Sequence, residues 1–341
     1  NLHIWIISYL KQCYKGFPTS GGIKHIYFCL ADHYEPYVGK VDQIIAHERV
    51  SNWIQKYPEI AGKHVDSFGR SPQHSYFYPE EEYDEWVLDQ LSSICKGGLG
   101  DLDIHLHHDN DTAENLQVTL LKFKNLLHDK HDLLRKDSNG NIVYGFIHGN
   151  WALDNSRPGG RWCGVNNEIE VLLNTGCVFD MTLPSAPSDT QTSIINSIYF
   201  ARETGHCKSH NTGKLLGGNY WGDKDELLMI QGPLTLDWGN RKFGLIPRIE
   251  AGDLSYDAPP RAKRVDLWEK FSPRIISEGE DHIFIKLHTH GLENSNSKMF
   301  FDKNGFDKLW SLLESKYNNN DKYKLHYLSA WEMYQKIKSL S

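Results

Sequence analysis

The sequence predicts a single α/β barrel domain over residues 1–341 with one insertion, and three observations carry that expectation. Apolar runs of strand length alternate with helix-periodic stretches through most of the chain. Polar residues collect where those runs end, as they do at the functional face of a parallel barrel. The composition, 39% hydrophobic and 24% charged over 341 residues, is that of a globular chain long enough to bury a large core.

The elements follow in order. Segment 23–32 (IKHIYFCLAD) is an apolar run that turns polar at its end, the pattern of a buried parallel strand entering a loop. An amphipathic helix is predicted over 41–56. Segment 101–108 (DLDIHLHH) alternates, with Leu102, Ile104 and Leu106 on one face and Asp103, His105 and His107 on the other. The leucine spacing of 112–134 predicts a helix. Further strands are predicted at 142–147, 176–181, 226–231 and 281–288, with helices near 166–174, 190–201, 305–316 and 328–339. Residues 202–264 break the rhythm with the Gly and aromatic punctuation of NTGKLLGGNYWG and the turn chemistry of DAPPRAKR, and read as an insertion around one strand.

Charge excludes some partners. Lys and Arg number 37 against 44 Asp and Glu, a net charge of −7 with no basic run, so nucleic acid is not expected. The apolar stretch from Leu2 to Leu10 is far shorter than the ~20 residues a membrane span needs. The six cysteines are widely spaced with no C-x-x-C pair, which predicts a reduced, cytoplasmic setting and neither a zinc ribbon nor a redox motif. The 18 His, 10 Trp and 17 Tyr suit metal ligation and sugar stacking.

Five strand ends carry candidate chemistry: Asp32-His33; His105-x-His107-His108-Asp109-x-Asp111; His148 with Asn150-Trp151; Asp180; and His288-x-His290. Imidazole nitrogen and carboxylate oxygen are the donors of a divalent ion, zinc by donor type, that keeps one position open for water. A free Asp beside it can accept a proton and a His opposite can return one, so hydrolysis of an amide or ester is the expected reaction.

In the order and strand context of these motifs, residues 23–300 resemble the polysaccharide deacetylases of carbohydrate esterase family 4, which fold as an irregular (β/α)7 barrel. The resemblance implies Asp32 as the base and His33, His107 and Asp111 as the metal ligands. Relative to the family pattern, one carboxylate has become imidazole and one imidazole carboxylate. His105, Asp109 and His290 are then outer-shell or alternative ligands, and H-x-H at a strand end is also an amidohydrolase feature. His148 takes the place of the family's Arg, Asp180 falls at the fourth motif, and His288 carries the general-acid role with His290 as competitor.

The loop HGNWALDNSRPGGRWC, residues 148–163, is dense in oriented polar groups and aromatics. It supplies the expected substrate contacts: His148, Asn150, Trp151, Asp154, Arg157, Arg161 and Trp162. The two arginines suit an anionic or nucleotide-linked sugar. The resemblance thus implies an N-deacetylase of an acetamido sugar in surface polysaccharide synthesis. A silent glycan-binding or assembly protein and another amide hydrolase, such as a deformylase or amidohydrolase, are the alternatives.

Overall fold

The computed structural model describes residues 1–217, 220–318 and 321–341; Gly218 and Asn219, within the Gly and aromatic punctuation, lie outside the described residues. The strands that organise the molecule are β1 Lys24–His33, β2 His74–Pro79, β3 Gly100–Leu106, β4 Ile142–His148, β5 Cys177–Asp180, β6 Ile198–Arg202, β7 Glu226–Ile230, β8 Arg274–Ser277, β9 Glu280–Thr289 and β10 Tyr323–Tyr327. The main helices are α1 Ile6–Lys15, α2 Gln43–Ala61, α3 Glu85–Lys96, α4 Ala113–His131, α5 Glu168–Thr175, α6 Ala262–Phe271, α7 Gly305–Tyr317 and α8 Ala330–Ser339.

Seven strands run parallel in the order β9-β1-β2-β3-β4-β5-β7, with β8 antiparallel on one flank and β6 antiparallel on the other. Strand β1 is the hub. It pairs with β9 along its length, with β10 at residues 24–28 and with β2 at residues 31–33. Lys286 of β9 is buried and donates to the carbonyls of Met181 (2.8 Å) and Leu183 (2.7 Å) just past β5, so the two sides of the sheet meet through one side chain.

Strand alternation decides which side chains reach which layer. Ile26, Phe28 and Leu30 of β1 pack with Val50, Trp53 and Tyr57 of α2 and Leu313 of α7 in the largest core cluster. Tyr27, Cys29 and Ala31 face the other way, into a cluster with Phe77, Ile147, Phe179 and Phe284 that is capped by Ala330, Met333 and Ile337 of α8. Helix starts follow capping chemistry. Asp42 accepts from the Ile45 amide, Thr112 from Asn115, and Ser329 with Glu332 forms a capping box ahead of α8.

Most expected elements are present within a few residues of their predicted ends, but 190–201 is not helical. It is a loop that runs into β6, which pairs antiparallel with β7 from Ile198 with Ile230 to Arg202 with Glu226. The segment is rich in β-branched and aromatic residues, whose stiff χ1 angles favour a pleated strand and whose apolar spacing also suits one. Strands β2, β8 and β10 and helices α1, α3 and α6 are additional to the predicted set. Residues 202–264 contain β7 and an antiparallel hairpin, Thr235–Lys242 with Ile246–Glu250. Among the described residues no helix is long and apolar enough to cross a membrane, and all six cysteines are free thiols.

Candidate metal centre

The inward alternation of β1 continues past the strand end, so that Glu35 follows His33 to the same side. The Glu35 carboxylate is the centre of a group of imidazoles drawn from three strand ends. Its Oε1 lies 3.2 Å from His105 Nε2 and 3.2 Å from His107 Nε2, and its Oε2 lies 3.1 Å from His290 Nδ1. The His33 ring is 4.5 Å from the His290 ring and 4.7 Å from that of His105. Ligand atoms of His33, Glu35 and His290, and of Glu35, His105 and His107, lie within 4.8 Å of one another. A cavity of about 290 Å³ opens onto this group, lined by His33, Glu35, His107, His290 and the loop residues Asn150 and Trp151.

Two of the imidazoles are oriented from behind. Nδ1 of His105 is 2.8 Å from the Ile147 carbonyl, an acceptor only, so it carries the proton. Its Nε2 then faces Glu35 with a lone pair, or with a second proton if the ring is cationic. His107 is held the same way, Nδ1 against Glu81 Oε1 at 2.5 Å. An outer carboxylate or carbonyl on the far nitrogen is the usual support of a metal-ligating histidine. Gly149 makes room for this: a Cβ there would sit 2.3 Å from the His107 ring.

The electrostatics separate the imidazoles. Burial pushes the Glu35 carboxyl up, but the bonds from His105 and His290 outweigh it and hold the group well below the usual carboxylate range. Burial and the neighbouring imidazoles push His33 well below 6.5 and keep it neutral. Burial opposes a proton on His290, yet the Glu35 bond raises its pKa; His107 is raised likewise by Glu81 and Glu35.

The other predicted site residues are distributed as follows. Asp32 faces the helix layer: its oxygens accept from His74 Nε2 (2.9 Å) and the Gly291 amide (2.7 Å), and it has no exposed surface from which to serve water as a base. The cause is strand alternation, which turns neighbours Asp32 and His33 to opposite sides. Gly291 is confined by this arrangement, since a Cβ there would lie 2.3 Å from Asp32 Oδ2 and 2.7 Å from Trp53. Asp111 is not with His33 and His107. It accepts from His108 Nδ1 (3.1 Å) and from Asn115, because it belongs to the turn that starts α4. Asp109 accepts from the Trp162 amide at 2.6 Å. His105, expected as an outer-shell or alternative ligand, has its Nε2 directly against Glu35 Oε1.

His288 is buried, its ring 6.3 Å from that of His33, and burial with Lys286 nearby drives its pKa well below 6.5. A ring held in the neutral form has no acidic second proton to give and is a poor general acid. Asp180 is buried and bonded to the Thr182 amide (2.9 Å) and hydroxyl (2.7 Å), with its pKa pushed up to about 7 by burial. Of the predicted substrate contacts, Asn150 and Trp151 line the cavity. His148 is fully buried beside Glu168, and Asp154 is fully buried with Oδ2 on the Ser209 amide at 2.5 Å, so neither is presented to a substrate. Arg157 is paired with Asp189 at 2.8 Å and lies over the Trp162 ring, as does the exposed Arg161.

A separate group, His108, His148, Cys163 and Glu168, also has its ligand atoms within 4.8 Å of one another. Sequence reasoning missed Glu35, Glu81, Cys163 and Glu168. For Glu35 a signal existed, the two-residue period running from Tyr27 through His33.

Fold and site together define an α/β protein whose mostly parallel sheet gathers imidazoles and carboxylates at its strand ends. No protein-family profile matches the chain, and no curated protein sequence matches it.

Proposed function

We propose that the protein is a metal-dependent hydrolase whose ion is held by Glu35, His105 and His107, and that it deacetylates an acetamido sugar. The observation that carries the reading is the convergence of His33, Glu35, His107 and His290 on one open cavity beside Trp151, with the buried His105 against Glu35 from behind. The donor set of imidazole and carboxylate suits zinc, and the fixed outer partners of His105 and His107 are what such ligands require. The strand-end location suits a parallel barrel of the deacetylase type.

When bound, the ion polarises the acyl oxygen and lowers the pKa of water. The remaining steps fall to the chain. His33, kept neutral by burial, accepts the proton of the attacking water. His290, which carries a proton on the Glu35 side, returns one to the departing amine. Two groups in one site with pKa values pushed apart are the usual basis of an acid and base assignment. Trp151 offers an aromatic face to the sugar ring. Asp32 acts through Gly291 to hold the neighbouring His290, which makes it a positioning residue.

The pairing of His105 with His107 favours a second reading, an amide hydrolase of the amidohydrolase kind acting on a different acyl amine. One experiment separates the two. The purified chain, with zinc restored after chelation, is offered N-acetylglucosamine oligomers and simple N-acyl amines, and free carboxylate is measured. Acetate from the sugars alone supports the deacetylase; turnover of the simple amides alone supports the second reading. No metal-dependent release from either overturns both.

A further inference from the structure

The buried group behind the cavity is built differently from the Glu35 centre, and independently of it. Four segments meet there: the turn after β3 supplies His108, the end of β4 His148, the following loop Cys163 and the first residue of α5 Glu168. Their side chains are 8% exposed for His108 and 0% for His148 and Glu168, with Cys163 also at 0%. A catalytic ion keeps a position open, whereas this pocket is shut on every side.

We propose that His108 Nε2, His148 Nε2, Cys163 Sγ and Glu168 hold a structural transition-metal ion, zinc by the donor set of two nitrogens, one sulfur and one oxygen. Each donor is oriented from behind. His108 Nδ1 is 3.1 Å from Asp111 Oδ2, and His148 Nδ1 donates to the Gly149 carbonyl at 2.5 Å. The His148 proton being on Nδ1, its Nε2 is a lone-pair acceptor. That atom is buried, 3.5 Å from the acceptor Glu168 Oε1, and makes no hydrogen bond. An orphaned acceptor facing a carboxylate costs stability unless a cation lies between them.

The sulfur is prepared as well. The amides of Asn155 (3.3 Å) and Val165 (3.4 Å) point at Cys163 Sγ, which itself reaches Glu168 Oε2 (3.4 Å) and the Val165 carbonyl (3.6 Å). Two N–H donors suit a thiolate. The Asp154 amide holds Glu168 Oε2 at 2.5 Å and leaves Oε1 toward His108 at 3.2 Å. On binding, the Cys163 S–H bond breaks, a sulfur–metal bond forms and the proton goes to solvent. One thiolate and one carboxylate then balance a divalent charge, so the closed pocket holds no net charge. The ion would fasten the 148–168 loop, which carries Asn150 and Trp151 to the cavity.

The test uses the full chain freed of metal and loaded with cobalt(II), read by elemental analysis and near-ultraviolet absorption. The wild type is expected to bind two equivalents and to show a thiolate-to-cobalt charge-transfer band. Cys163→Ser should lose the band and one equivalent, while Glu35→Gln keeps the band and loses the other, since the Glu35 centre holds no sulfur. Asp111→Ala removes no ligand and should weaken the band-bearing site by about 10–100-fold, which gives a second readout if Cys163→Ser does not fold. Cobalt bound without the band, a band that survives Cys163→Ser, or a chain that takes no cobalt at the thiolate would each overturn the proposal. A wild type that binds a single equivalent, with the band, would overturn only the hydrolase reading.

Discussion

Asp32 and His74 form a buried pair, Oδ2 to Nε2 at 2.9 Å, on the side of β1 away from the cavity. The other oxygen of Asp32 holds the Gly291 amide, one residue after His290. Asp32→Ala leaves both partners buried and unsatisfied, and is expected to destabilise the fold by about 1–3 kcal/mol. Asp32→Asn keeps an acceptor for Gly291 and turns a donor toward His74 Nε2, which can accept it as the Nδ1–H tautomer, and should cost less. Urea unfolding of the two variants measures this; an Asp32→Ala protein as stable as the wild type would remove the positioning role.

Ligand variants test the Glu35 centre. His105→Ala, His107→Ala and Glu35→Gln should each weaken its ion by more than the roughly 10–100-fold that outer-shell losses cost. Asp111→Ala should leave that centre unchanged, since Asp111 is bonded to His108. Isothermal titration with zinc distinguishes these outcomes, and an Asp111→Ala variant that loses the Glu35-centre ion would restore the ligand set expected from the family pattern.

Trp151 is half-buried, with its ring 6.4 Å from His33 and 6.3 Å from His290. Trp151→Ala should weaken sugar binding by about 0.5–1.5 kcal/mol beyond lost area, while the melting temperature stays near that of the wild type. A melting temperature that collapses with affinity unmeasurable would make the residue structural.

At the opposite end of the sheet His25, His282 and His326 stack beside Tyr27, with Glu280 and Lys336 as the charged neighbours. Burial first, then His25 and Lys336, push His282 down to about 4 and His326 down to about 3. Both values lie below the unfolded 6.5. Their stabilising contribution is therefore full above pH 6.5 and is lost as pH falls toward 3 to 4. The loss between pH 7 and pH 5 should be about 2 kcal/mol for each ring in urea unfolding. His326→Phe should remove about half of that acid limb, His282 keeping its own share; an unchanged limb would acquit the cluster. Metal release affects both proteins alike and cancels in the comparison.

The strands were most legible where one face is apolar throughout, as in 101–108 and 281–288, because burial there leaves a two-residue period. Segment 190–201 was misleading because its apolar residues satisfy a helical and a pleated spacing at once, and pairing with β7 decides between them. His33, His105, His107 and His290 were found as strand-end residues, yet their partner was not. Whether Asp32 or His33 faces the cavity turns on a single residue of register. Glu35 lies two residues beyond the strand end, where the same period places it only if the alternation is carried past the last paired residue. Cys163 and Glu168 meet His108 and His148 only through the path of an irregular loop, which spacing does not encode.

Gly291 carries a consequence for how this chain tolerates variation. With Asp32 Oδ2 at 2.3 Å and Trp53 at 2.7 Å from any added carbon, even alanine demands that a buried ring or a bonded carboxylate retreat. A saturation library at position 291 selected for folded protein should return glycine almost alone, and a second-site search starting from alanine should converge on smaller residues at Trp53. Glycine at position 291 is then a signature that a selection for folding alone recovers, without any reference to metal or substrate.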